Sequence, residues 1–259
     1  MAEIELVIVP SLRSSSRKAA DLIKSRGYNM VFLNFPRNLQ QLISELASGR
    51  IQLSSALDRI KEEKLIPEPI GAWLYLNGPI LEAIAGINGA VEVYCYSDVD
   101  YHHILVDVAS KIANLTAKAG ATGKVDIEEW LRILKEHHMF ETSRFEAETI
   151  GVKAEGRCLC LAGLSGWKLV EPIRAMGHRV KVRCVERLYV FKPLEMLDSL
   201  IERGRIKQEE AEELIRCHIN FVRGYILTSE NLDEAYSRWI RNRHKLIIHR
   251  NEISKTVQT

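Results

Sequence analysis

Short apolar runs, each ended by turn residues and followed by a segment with helical spacing, recur from the start of the chain to about residue 185. Leu6–Val9 stops at Pro10-Ser11, Met30–Leu33 at Asn34-Phe35-Pro36, Val91–Tyr96 at Ser97-Asp98 and Arg157–Ala162 at Gly163. Strands that are apolar along their whole length, rather than at every second residue, belong to parallel sheets covered on both faces. Their alternation with helices implies right-handed crossovers within one sheet. The spacing predicts an α/β fold with about six mostly parallel strands, near 6–9, 30–33, 72–76, 91–96, 157–162 and 180–185. Ala72–Leu76 is read as a strand because Asn77-Gly78-Pro79 follows it as a turn, with a short helix at Ile80–Ile84.

Between the strands, Ser14, Ser15 and Ser16 are expected to cap a helix carrying Ala19, Leu22 and Ile23, and Asn38 to cap the next. Asp126 with Glu129 forms a capping-box-like start for a helix at Ile127–Lys135. Two helices interrupt the alternation and read as an insertion at about 101–138. From 191 onward the pattern is wholly helical. The expected organisation is an α/β domain over 1–190 with that insertion, and a helical appendage over 191–259 packed on it. The appendage hides a charge division. Glu209, Glu210, Glu212 and Glu213 precede Arg238, Arg241, Arg243, Lys245 and Arg250, which interleave with Trp239, Ile240, Leu246, Ile247 and Ile248.

The whole chain has 36 basic and 34 acidic side chains, a net charge of +2 over 259 residues. That balance excludes a chain basic throughout, as dedicated nucleic-acid binders are, and leaves the 238–250 stretch as a candidate local patch. The acidic N-terminus and the short run before Pro10 predict no secretory signal, and no uncharged stretch is long enough for a membrane span. Five cysteines, an odd number without paired CxxC motifs, predict reduced thiols and no structural zinc site. The expectation is a cytoplasmic protein, away from membranes, which can form a homo-oligomer.

Ligands of open α/β sheets sit outside the carboxyl ends of the strands. That selects Ser11, Arg13 and Ser14 after the first strand, Asn34 after the second, Asp98, Asp100, His102 and His103 after Val91–Tyr96, and Ser165 and Trp167 after Arg157–Ala162. The first of these loops offers hydroxyls, a guanidinium and a helix start to an anion, but neither GxxxxGK[ST] nor GxGxxG occurs. Gly163-Leu164-Ser165-Gly166-Trp167 looks like a nucleophile elbow, yet Trp167 stands where G-x-S-x-G requires glycine, so a tight structural turn is expected. His102, His103 and the nearby aspartates are of metal-binding type, although neighbouring histidines diverge on a helix. No metal site is assigned. His137-His138 reads as a cationic helix end, and Cys158 and Cys160 as core.

The order of these loops resembles the TraB/TIKI-like superfamily, which includes ChaN-like and erythromycin-esterase-like α/β proteins. Within it, the layout is most similar to the family encoded beside MoxR-type AAA ATPases and von Willebrand A proteins. The resemblance spans about residues 5–185. It rests on Val9-Pro10-Ser11-Leu12-Arg13-Ser14-Ser15-Ser16, Leu33-Asn34-Phe35-Pro36, Ala117-Lys118-Ala119-Gly120 with Asp126-Ile127-Glu128-Glu129-Trp130, and Leu161-Ala162-Gly163-Leu164-Ser165-Gly166. The family pattern places a histidine in the first loop, an acid after the second strand and a late histidine. Here those places hold Ser11 to Arg13, Asn34, and Ser165 or Gly166, none of which can serve as a metal-binding histidine or carboxylate base. The resemblance therefore implies a catalytically degenerate member without a cofactor, binding an anionic ligand or a protein partner such as an AAA ATPase. Two alternatives stand beside it. One is a hydrolase built from Ser11, Ser165, Asp98, Asp100, His102 and His103, and the other a nucleic-acid-binding protein led by the basic tail.

Overall fold

The structure is a computed structural model that describes residues 1–25, 27–89, 91–140, 142–204 and 206–242. The chain divides into two compact units. One comprises Met1–Asp107 and Met139–Tyr189, the other Val108–His138 and Val190–Thr259. The predicted insertion from Val108 onward and the predicted tail thus fall in one unit, while 101–107 belong to the other.

The first unit is an α/β layer structure. Its five strands are β1 (Glu3–Ile8), β2 (Met30–Pro36), β3 (Glu92–Ser97), β4 (Arg157–Ala162) and β5 (Arg179–Cys184). They pair in the order β3-β2-β4-β1-β5, all parallel. Around them lie α1 (Arg13–Lys24), α2 (Gln40–Ala47), α3 (Leu53–Glu62), α4 (Ile70–Ala85), the start of α5 (Val99–Thr122), α7 (Ser143–Lys153) and α8 (Val170–Ala175). The alternation of side chains along each strand builds two cores. Val7, Val31, Leu33, Cys95 and Leu161 face α1 to α4. Ile4, Leu6, Phe32, Tyr96 and Cys160 face α7 and α8. Both faces are covered, which is why β2 and β4 read as continuous apolar runs. β5 is an edge strand whose Val182 is 45% exposed, and its Lys181 and Arg183 pair with Glu3 and Glu5 of β1.

The predicted strand at 72–76 is helix. It lies in the first half of α4, which continues through Asn77-Gly78-Pro79. Proline inside a helix removes an N–H and leaves the carbonyl four residues back without its donor. Here that carbonyl belongs to Tyr75, and Arg13 Nη1 donates to it from α1. The guanidinium also lies over the Tyr75 ring, 5.2 Å from its centroid. A Cβ at Gly78 would lie 3.4 Å from Arg13 Nη1, in van der Waals contact with the guanidinium. Asn77 returns its side-chain amide to the Trp73 carbonyl at 3.0 Å. An apparent turn is a supported helix, and among the described residues the sheet has five strands.

The predicted serine caps are also corrected. Leu12 occupies the N-cap of α1 without a side-chain cap. Ser15 instead donates to Glu186 at 2.8 Å, and Ser16 to the Leu12 carbonyl at 3.3 Å. Asn38 lies in a 3-10 turn and donates to the Leu65 carbonyl, so it caps nothing.

In the second unit are the rest of α5, α6 (Ile127–His138), α9 (Pro193–Glu202), α10 (Gln208–Gly224) and a helical stretch over 232–242. Asp126 Oδ1 accepts from the Glu129 N–H at 3.1 Å and starts α6 as its sequence predicts. Trp130 of α6 is 1% exposed and meets His218 of α10 edge-on at 5.8 Å. No disulfide joins any of the five cysteines, and no helix among the described residues is long and apolar enough to cross a membrane.

Candidate functional site

The connections leaving β1 and β2 run over one face of the sheet, whereas those leaving β3 and β4 bring α7 and α8 to the other. β1 and β4 are neighbours. Their chains therefore part to opposite faces as they leave the sheet, and such a divergence opens a crevice at the carboxyl ends. β2 widens it. Its ladder with β4 stops at Phe32–Cys160, and its pairing with β3 slips between Leu33 and Pro36. The slip is a bulge-like irregularity of the kind that redirects side chains beside sites, and Asn34, exposed, sits within it.

The resulting cleft has a volume of about 200 Å³. Its walls are Val9, Pro10 and Ser11 after β1, Ser16 of α1, Leu33 to Phe35, Trp73, Leu76, Asn77 and Ile80 of α4, His102 of α5, and Leu161 to Gly163. Trp73 packs against Phe35 with ring centroids 5.0 Å apart. Among the described residues, the lining contains no lysine, arginine, aspartate or glutamate. The one titratable side chain among the described lining residues is His102, whose Nε2 is buried and makes no hydrogen bond. Burial pushes the pKa of His102 down to about 4 against a smaller opposing influence of Asp98, so the imidazole is neutral at pH 7.

Of the residues predicted from sequence, Ser11, Asn34 and His102 meet in the cleft. Arg13 lines no part of it and holds the Tyr75 carbonyl instead. Ser14 is in the first turn of α1, and Asp100 and His103 are exposed on the first turns of α5. Asp98 Oδ1 accepts from the Tyr101 N–H at 3.1 Å, capping α5, and Oδ2 pairs with Arg37 at 3.3 Å. Ser165 and Trp167 are exposed in a 3-10 turn after β4. Gly166 in that turn packs so closely that a Cβ would lie 2.4 Å from Ala162 Cβ and 3.0 Å from Ile8 Cδ1. This is a packed strand-to-helix turn.

Sequence reasoning missed Trp73 and Asn77, because the segment holding them read as strand and turn. It also missed a polar group at the end of β3. Glu146 of α7 is 8% exposed and accepts from Ser97 Oγ at 3.0 Å. Burial raises its pKa, the charge of Asp98 adds to the rise, and hydrogen bonds from Ser97 and the Asp98 N–H oppose it. Arg37 lies 4.1 Å from the centroid of Phe145. A lone glutamate on the buried stripe Ala147, Ile150, Gly151 was the available signal.

In the tail, Arg238 Nη1 donates to the Thr228 carbonyl at 2.6 Å and to Ser229 Oγ at 2.8 Å. Arg241 is exposed, with a hydrogen bond to the Ser237 carbonyl at 3.4 Å. Arg243, Lys245 and Arg250 lie outside the described residues.

With this geometry in hand, comparison with protein-family models, with curated proteins and with solved structures finds no match to the chain.

Proposed function

We propose that the chain is a non-catalytic α/β binding protein that takes a small, uncharged, largely apolar molecule in the cleft between the ends of β1, β2 and β4. The observation that carries this reading is the lining. Among the described residues it has an aromatic and aliphatic wall and no charged side chain, and its histidine is neutral with an unpartnered Nε2. Binding sites of this kind join apolar walls to a few placed polar groups. At about 200 Å³, the cleft suits a molecule below drug size. His102 Nε2 is closed to solvent and unpartnered, so the neutral imidazole contributes an uncharged wall rather than a hydrogen bond to the ligand. The lining favours a neutral ligand over an anion, since Arg13 is engaged elsewhere.

Catalysis by Ser11 and His102 would require a group that orients the imidazole. Asp98, the acid nearest in sequence, caps α5 and pairs with Arg37. A thermal-shift screen of small neutral amides, alcohols and heterocycles, followed by calorimetry, tests the reading. Saturable binding that weakens about tenfold or more in Trp73→Ala is expected. Covalent labelling of Ser11 by a fluorophosphonate, or hydrolysis of ester substrates lost in Ser11→Ala, would replace binding with the hydrolase alternative.

A further inference from the structure

The second unit holds a donor cluster that the cleft does not involve. His137 and His138, the last two residues of α6, both direct Nε2 at one oxygen of Asp198 on α9, at 3.2 and 2.9 Å. Neighbouring side chains on a regular helix diverge by roughly 100°. Here the two rings converge, their centroids 4.0 Å apart. No lysine or arginine pairs with Asp198 among the described residues. One donor atom from each of the three side chains lies within 4.8 Å of the others.

We propose that His137, His138 and Asp198 form a divalent transition-metal site, with Zn²⁺ as the ion of best chemical fit. Two imidazoles and one carboxylate are a recognised donor set for that ion, and ligands about 2.0–2.1 Å from a tetrahedral centre stand about 3.3 Å apart, close to the separations already present. Three protein ligands leave a fourth position for water. Asp198 keeps 35% of its side-chain surface exposed and His138 18%, which gives the ion a path of entry. The supporting shell is weak, because His137 Nδ1 is buried without a partner. Missing outer partners lower metal affinity by about 10- to 100-fold, so micromolar rather than nanomolar binding is expected.

The test uses the full chain, stripped with chelator, desalted and titrated with Zn²⁺ under inductively coupled plasma mass spectrometry. Co²⁺ serves as a spectroscopic probe of coordination. One equivalent of Zn²⁺ and the visible bands of four-coordinate Co²⁺ without thiolate charge transfer are expected. Asp198→Ala and the partly exposed His138→Gln should each weaken binding at least about tenfold, with circular dichroism reporting that the helices persist. His138→Gln covers the case in which Asp198→Ala unfolds. Substoichiometric Zn²⁺ in the parent, binding unchanged in a folded variant, or thiolate bands tracing the ion to Cys184 or Cys217 would each overturn the site.

Discussion

Arg13 of α1 donates its guanidinium to the main-chain carbonyl of Tyr75, the carbonyl that Pro79 deprives of its donor within α4. One long side chain thereby compensates a helix defect 62 residues away. Arg13→Met should cost about 1–3 kcal/mol, because it leaves that carbonyl unsatisfied and removes the cation over the ring. Pro79→Ala restores the intrahelical donor, so Arg13→Met should cost less in that background. Urea unfolding of the parent, the two single variants and the double variant measures the coupling. Strict additivity would show that Arg13 acts elsewhere.

Stability should fall as pH drops from about 6.5 towards 4. Burial holds His102 and His218 at about 4 in the folded chain, whereas an unfolded histidine takes its proton near 6.5. The unfolded state binds more protons across that window, so acid favours it, and above about 7 these groups contribute no slope. Replacing His102 with Asn should reduce the slope by roughly half and leave the share of His218. An unchanged profile, measured by urea midpoints at closely spaced pH values, would count against a buried neutral His102.

Glu146→Gln should raise stability at neutral pH by about 1 kcal/mol, since it removes the desolvation cost of a buried carboxylate. The amide oxygen can still accept from Ser97 Oγ and the Asp98 N–H, both of which now donate to Glu146 Oε1. The folded chain holds this proton to higher pH than the unfolded chain does. The group therefore removes stability as pH rises through the carboxylate range, and the gain from glutamine should vanish at low pH. A loss at pH 7 would mean the charge is needed.

Gly166→Ala should destabilise by about 1–3 kcal/mol, the usual range for overpacking. The added Cβ meets Ala162 and Ile8, neither of which is a flexible surface tip. Ser165→Ala, one residue away and exposed, should change stability by less than about 0.5 kcal/mol. Thermal unfolding of both variants checks the contrast.

The four apolar runs over β1, β2, β3 and β4 were legible because strands buried on both faces have no choice but continuous hydrophobicity. The loops at their carboxyl ends were legible for the same reason, and three of the residues chosen from them, Ser11, Asn34 and His102, line one cleft. The misread segment at 72–79 shows the limit. Asn77-Gly78-Pro79 carries a turn signal in any local window, and only a donor from α1 makes it helix. His137-His138 likewise read as a charged helix end, because their partner Asp198 is 60 residues from His138.

By itself the sequence determined the α/β class, the parallel sheet and the covered faces, since these follow from periodicity and side-chain polarity along short stretches. Tertiary structure alone decided that α4 runs through its proline, that the cleft is lined without charge, and that two histidines and an aspartate converge. Each of these depends on a polar group satisfied, or left unsatisfied, by a residue far away in the chain. Such pairings arise from the packing of whole elements, and no local pattern encodes them.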